Sequence, residues 1–141
     1  MKQMLRKAEV VDFDAIATLD KEVIETTLVR SEKITRAIRE SRCNVVISSS
    51  TVQGFAISNP KAFKGMDFLE LVVVNPSTRR LGIATLLISR FRESSNTPEC
   101  WTSTNQSNQA MITLLRKLGW YESDHVEELD LGDPELFFYI N

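Results

Sequence analysis

The sequence predicts one α/β domain, and three observations carry that expectation. Short β-rich runs alternate along the chain with stretches whose apolar residues recur at spacings of three and four. Clusters of Gly, Pro, Asn and Ser separate these runs, with no repeat, low-complexity tract or linker between them. At 141 residues, 43% hydrophobic and 26% charged, the chain suits a single globular core spanning residues 1–141.

Taken in order, residues 5–10 read as a first strand. Asp12 offers an N-cap to a helix whose Phe13, Ile16, Leu19 and Val23 share one face. A second helix covers 31–41, with Ile34 and Ile38 four apart. Residues 44–49 and 53–58 are β-rich around Ser50-Thr51, which predicts a hairpin. Asn59-Pro60 and Lys64-Gly65 mark a loop. The apolar run 68–74, with three consecutive valines, has the pattern of a strand buried on both faces, and Asn75-Pro76 stops it. Ile83, Leu86, Leu87, Arg90 and Phe91 then form an amphipathic helix. A fifth strand covers 99–104. A helix over 107–118 carries Met111, Leu114, Leu115 and Leu118 on one stripe and ends at Gly119. Two last strands, 122–131 and 135–140, flank Gly132-Asp133-Pro134.

A net charge of −2 argues against a dedicated nucleic-acid binder. No run approaches the roughly 18 apolar residues needed to cross a bilayer, so no membrane partner is expected. The opening Met1-Lys2-Gln3-Met4-Leu5-Arg6-Lys7 is too polar for a signal peptide. Two cysteines, Cys43 and Cys100, suit a reducing compartment as unpaired thiols, and a cytoplasmic location is the expectation. One histidine and two distant cysteines make no metal set.

The most informative stretch is Val74-Asn75-Pro76-Ser77-Thr78-Arg79-Arg80-Leu81-Gly82-Ile83-Ala84. A strand stops at proline and a helix starts within a glycine-bearing turn. The first amides of such a helix lack internal partners and carry partial positive charge, which suits an anion. Gly82 and Ala84 let a pyrophosphate approach the backbone. Arg79 and Arg80 sit at an end where cations are disfavoured unless an anion completes the site. The plainer alternative is a solvated loop. Neither G-x-x-x-x-G-K-[ST] nor a full G-x-G-x-x-G is present.

With Arg79, Gly82 and Ala84 at the three defined positions of [Q/R]-x-x-G-x-[G/A], after a strand ending V-x-P, the chain resembles the GNAT superfamily of N-acetyltransferases. Asn108 to Trp120 is similar to a second family motif, through Asn108, Met111 or Ile112, Leu114, Lys117, Gly119 and Trp120. The order of elements also matches the family. The resemblance implies a mixed, mostly antiparallel sheet of about seven strands with helices on both faces, split between strands four and five. It implies acetyl-CoA as co-substrate, its pyrophosphate held by the amides of Arg80, Leu81, Gly82, Ile83, Ala84 and Thr85. The pantetheine arm would bond to the backbone of Val72, Val73 and Val74, whose amides near Val72 or Val73 would also stabilise an oxyanion. Asn108 is either a cofactor contact or the N-cap of its helix.

The acceptor expected from the resemblance is a small-molecule or peptide amine that attacks acetyl-CoA directly and without a metal, on a monomer or homodimer. An ammonium must lose a proton before it attacks a thioester. Glu70, the charge inside the apolar run 68–74, is the candidate base, with a structural ion pair as its alternative. The family tyrosine that protonates the leaving thiolate is here Leu115, which continues the apolar stripe. Tyr121 and Tyr139 do not occupy the motif's position, and His125 reads as a packing or surface residue. The missing tyrosine keeps open a second class, a non-catalytic acetyl-CoA sensor or interaction module. A nucleotide-binding protein using the same turn is a third.

Overall fold

The computed structural model describes residues 2–23, 28–79, 82–128 and 132–141. Among them the strands are β1 (Gln3–Lys7), β2 (Cys43–Ser48), β3 (Thr51–Phe63), β4 (Met66–Val74), β5 (Cys100–Asn105), β6 (Tyr121–Glu127) and β7 (Glu135–Ile140). The helices are α1 (Phe13–Val23), α2 (Leu28–Arg39), α3 (Ile83–Ser94) and α4 (Gln109–Lys117), with short 3-10 turns at Val10–Asp12 and Pro76–Thr78. The seven strands form one mixed sheet in the order β1-β2-β3-β4-β5-β7-β6. The pairs β1–β2, β2–β3, β5–β7 and β6–β7 are antiparallel, and β4–β5 is parallel. That parallel register covers only 67–69 against 100–102, leaving 70–74 and 103–105 beyond it. The expected point of splitting therefore falls at the parallel pair, whose register is three residues long.

Two compact units divide the chain, Met1–Ser58 with Leu71–Glu93 and Asn59–Glu70 with Ser94–Asn141. In the first, Ile16 and Leu19 of α1 and Ile34, Ala37 and Ile38 of α2 pack with Val45, Phe55, Ile57 and Val73 in one buried cluster. Phe13 and Val23 lie against it, so the predicted face of α1 is the buried one. Gly54 alternates with Phe55 and so lies on the opposite face, where Ile83 and Leu87 of α3 approach it. Helices thus cover both faces here. Between α1 and α2, Arg30 donates to the fully buried Asp20 at 2.7 and 2.9 Å. Both thiols, Cys43 and Cys100, are free and buried. Burial, reinforced by the Asp12 charge, pushes the Cys43 thiol up to about 12.

Several boundaries differ from the sequence reading. The first strand ends at Lys7 rather than residue 10, and Val10 and Val11 are exposed in the 3-10 turn. Asp12 anchors that turn instead of capping α1: its carboxylate accepts from the Glu9 amide at 2.7 Å and from Arg6 at 2.8 and 3.0 Å. The β2–β3 turn is Ser49-Ser50, both with positive φ (53° and 61°), one residue before the expected place. That geometry is the one a two-residue hairpin needs.

Asn59-Pro60 does not break β3, which runs to Phe63. Pairing with β2 ends at Cys43↔Ile57, so the missing amide of Pro60 costs no bond on that side. β4 is not buried on both faces: only Leu69 and Val73 are, at 2% exposure each, and the rest are half-buried. In α4 the buried pair is Ile112 and Leu115, while Met111, Leu114 and Leu118 are half-buried. Gly119 comes just after it with φ 93°, the left-handed ending expected.

Candidate active site

In the first unit β4 ends at Val74, and Asn75 shapes the turn that leads to α3. Its amide donates to Gln53 O at 2.8 Å, tying the strand end to β3, and its side chain accepts from Ser77 N at 3.0 Å, capping the 3-10 turn at Pro76–Thr78. Arg79 leaves that turn extended and exposed. Arg80 and Leu81 lie outside the described residues. Gly82 is exposed with φ +80°, a left-handed conformation that L side chains rarely adopt, and open space surrounds the place of a Cβ. α3 begins at the next residue.

The first intrahelical bond of α3 runs from Leu86 N to Gly82 O at 3.0 Å. The amides of Ile83, Ala84 and Thr85 precede it, in the turn where a helix offers its own N–H groups no acceptor. A twelve-residue helix therefore presents its positive end beside an open glycine, a fit for a phosphate group. Ile83 and Val73 are each 2% exposed, backbone and side chain together. Val72, Val74, Ala84 and Thr85 are half-buried.

Gly54, which belongs to neither motif, seats this helix. A Cβ there would lie 2.7 Å from Ile83 Cγ2, 3.0 Å from Val73 O and 3.4 Å from Leu87 Cδ1. Glycine is what lets the first residue of α3 rest on β3 beside the end of β4. An isolated glycine within a β-rich run was the available signal.

The second unit carries Glu70 and Asn108. Glu70 is half-buried and accepts a short hydrogen bond from Asn59 Nδ2 on β3, a partner unrecognised in the sequence. β4 begins earlier than expected, so Glu70 shares the strand with a second acid, Asp67. Burial raises the Asp67 carboxyl, but hydrogen bonds from Ser95 and from the amides of Lys61 and Asn96, with the Lys61 charge, hold it below the ordinary range. Asn108 is exposed and caps α4, its Oδ1 accepting from Met111 N at 3.2 Å. Its Nδ2 remains a donor that the cap does not use. Leu115 is core, 1% exposed. His125 Nε2 lies 3.1 Å from Glu127, and Arg116 pairs with Glu122 at 2.8 Å. Among the described residues no three His, Cys, Asp or Glu side chains gather as a metal site would require.

The profile of the Acetyltransferase (GNAT) family matches residues 10–120. Among solved structures, an acetyltransferase of the GNAT family from Bacillus cereus is 35% identical, with a TM-score of 0.91 over 100% of this chain and 98% of that one. Two more distant structures share the fold. The ribosomal-protein-S18-alanine N-acetyltransferase of Escherichia coli is 15% identical with a TM-score of 0.77, covering 99% of this chain and 93% of that one. Arabidopsis thaliana Naa50, in complex with the bisubstrate analogue CoA-Ac-MVNAL, is 12% identical with a TM-score of 0.82, covering 100% and 99%. A search of curated proteins finds no match. With the family profile spanning most of the chain and a close structural relative spanning all of it, this chain belongs to the GNAT acetyltransferase family and is an acyltransferase.

Proposed function

We propose that the chain is an N-acetyltransferase that moves an acetyl group from acetyl-CoA to a primary amine by direct attack in a ternary complex. The observation that carries this reading is the open, left-handed Gly82 at the N-terminus of α3. The amides of residues 82–85 hold the pyrophosphate of coenzyme A, with Arg79 and Arg80 completing the charge. The backbone of Val72, Val73 and Val74 receives the pantetheine arm, and Asn108 contributes its Nδ2. Relatives fit an amine acceptor: one is named for an alanine of ribosomal protein S18, another is in complex with the bisubstrate analogue CoA-Ac-MVNAL.

In the reaction, Glu70 takes a proton from the ammonium, directly or through water. The neutral nitrogen attacks the thioester carbonyl while amides near Val72 or Val73 stabilise the oxyanion. The new C–N bond forms and leaves the nitrogen cationic; it gives its second proton to solvent as the C–S bond breaks and the thiolate leaves. A thiol has a pKa of about 8.5, so the thiolate is a fair leaving group without a dedicated acid. That accounts for a buried Leu115 where the family places a tyrosine. We place the enzyme in the cytoplasm on its two free, buried thiols, as a monomer or homodimer.

Glu70→Gln tests the base. With a primary amine as acceptor, kcat/KM should fall by roughly 10²–10⁴-fold near neutral pH. The loss should shrink toward pH 9.5, as more amine, of pKa about 10.4, arrives neutral. Parallel wild-type and mutant profiles from about pH 6.5 to 9.5 would remove Glu70 from the mechanism.

A further inference from the structure

In the second unit the sheet has two unlike faces. Cys100, Thr102, Phe138 and Ile140 lie buried on one, where a Cβ at Gly119, just past α4, would meet Ile140 at 3.7 Å. By strand alternation the other face carries Phe68, Trp101 and Phe137. Phe63, at the end of β3, lies over these rings. Its centroid is 5.7 Å from Phe68, 4.9 Å from Trp101, and 5.0 Å from Phe137, nearly parallel to the last at 19°. His125 closes one side, edge-on to Phe63 at 5.3 Å and to Phe137 at 4.7 Å. Trp101 and Phe137 are buried by these contacts, while Phe63 and Phe68 keep part of their surface exposed.

This aromatic face is lined with acid. Glu70 stands two residues beyond Phe68 on the same side of β4. Glu135, on the side of β7 that carries Phe137, accepts from Ser103 Oγ at 2.6 Å. The rings already hold one cation, since Lys64 Nζ lies 5.4 Å from the centroids of both Phe63 and Trp101. Aromatic faces attract ammonium groups and stack with other rings, and carboxylates draw a cation while repelling another carboxylate.

The geometry points to an acceptor whose primary ammonium is carried on an aromatic or bulky apolar group lacking a carboxylate. Its ring packs against Phe63 and Phe68, and its charge is drawn to Glu70 and Glu135. This rests on the amine-acetylation reading and narrows it to a substrate class. Short aliphatic amines lack the ring, and aromatic amino acids bring a carboxylate toward Glu70 and Glu135. Both should be poor acceptors.

The test pairs acetyl transfer with direct binding. Acetyl-CoA turnover is measured with 2-phenylethylamine, n-propylamine and phenylalanine, and binding of 2-phenylethylamine to the protein is measured by calorimetry. Phenylethylamine should exceed each of the others by about tenfold or more in kcat/KM. Phe63→Ala should lose about tenfold more toward phenylethylamine than toward propylamine, chiefly in KM. If that variant does not fold, Phe63→Leu keeps apolar volume without the ring and should show the same split. Equal rates across the panel, or equal losses in the variant, overturn the inference while leaving amine acetylation intact. Saturable phenylethylamine binding that depends on Phe63, without turnover of any amine, supports the surface and overturns the acetyltransferase reading instead. Absence of both preference and binding overturns the inference.

Discussion

Asp12 is 8% exposed and accepts from Arg6 at 2.8 and 3.0 Å. The Arg6 hydrogen bonds hold its carboxyl below the ordinary 3.8, against the opposing effect of burial, and the Glu9 amide and the Arg6 charge add to the depression. A carboxyl whose folded value is depressed contributes stability that is fully present above its unfolded value and is lost as pH falls through the folded one. Melting temperature should therefore drop more steeply for wild type than for Asp12→Asn as pH falls below about 4. Parallel declines in thermal scans would place the acid sensitivity elsewhere. At this scale the sequence was least informative. Asp12 stands where an N-cap belongs, but its partner Arg6 six residues earlier decides its role. The Asp20–Arg30 pair is equally silent, because its ten-residue separation matches no helical period. Asn59 and Glu70 meet only because β3 continues through a proline.

α3 shows what element-level patterning can and cannot give. Of the apolar positions Ile83, Leu86, Leu87 and Phe91 expected on one face, Ile83, Leu87 and Phe91 are buried while Leu86 is exposed, and Asn75-Pro76 and Gly82 mark the turn before the helix. How closely the helix sits on the sheet depends on Gly54, and that is a tertiary fact. Gly54→Ala should destabilise the protein by about 1–3 kcal/mol, because the new methyl meets Ile83 and the Val73 carbonyl. It should also weaken acetyl-CoA binding, since Ile83 is the first residue of the helix that presents the amides. Denaturant unfolding with calorimetric titration checks both, and unchanged stability would mean the helix can shift away freely. The aromatic face was not legible at this level either. Local turn signals place Phe63 in a loop, and its ring contacts arise only where β3 and β4, β5, β6 and β7 share one sheet.

At the scale of the molecule, the order of elements was readable from periodicity and turn residues, while the strand order was not. Nothing local states that β7 lies between β5 and β6, or that β5 runs parallel to β4. The mixed, split sheet entered through the two motifs that resemble the family, and the family profile and the Bacillus cereus structure bear that out. Under our proposal acetyl-CoA binds the native protein through residues 72–85, and a ligand that binds only the native state stabilises it. The most direct measurement is thermal unfolding with and without acetyl-CoA, for wild type and Gly82→Glu. At a hundredfold excess over Kd, wild type should gain about 2.7 kcal/mol and its Tm should rise. Gly82→Glu, which sets a carboxylate at the phosphate position and strains a left-handed backbone, should start from a lower Tm, keep its circular dichroism spectrum below it, and gain nothing from acetyl-CoA. No rise for wild type at millimolar acetyl-CoA, or an equal rise for the variant, would contradict the account.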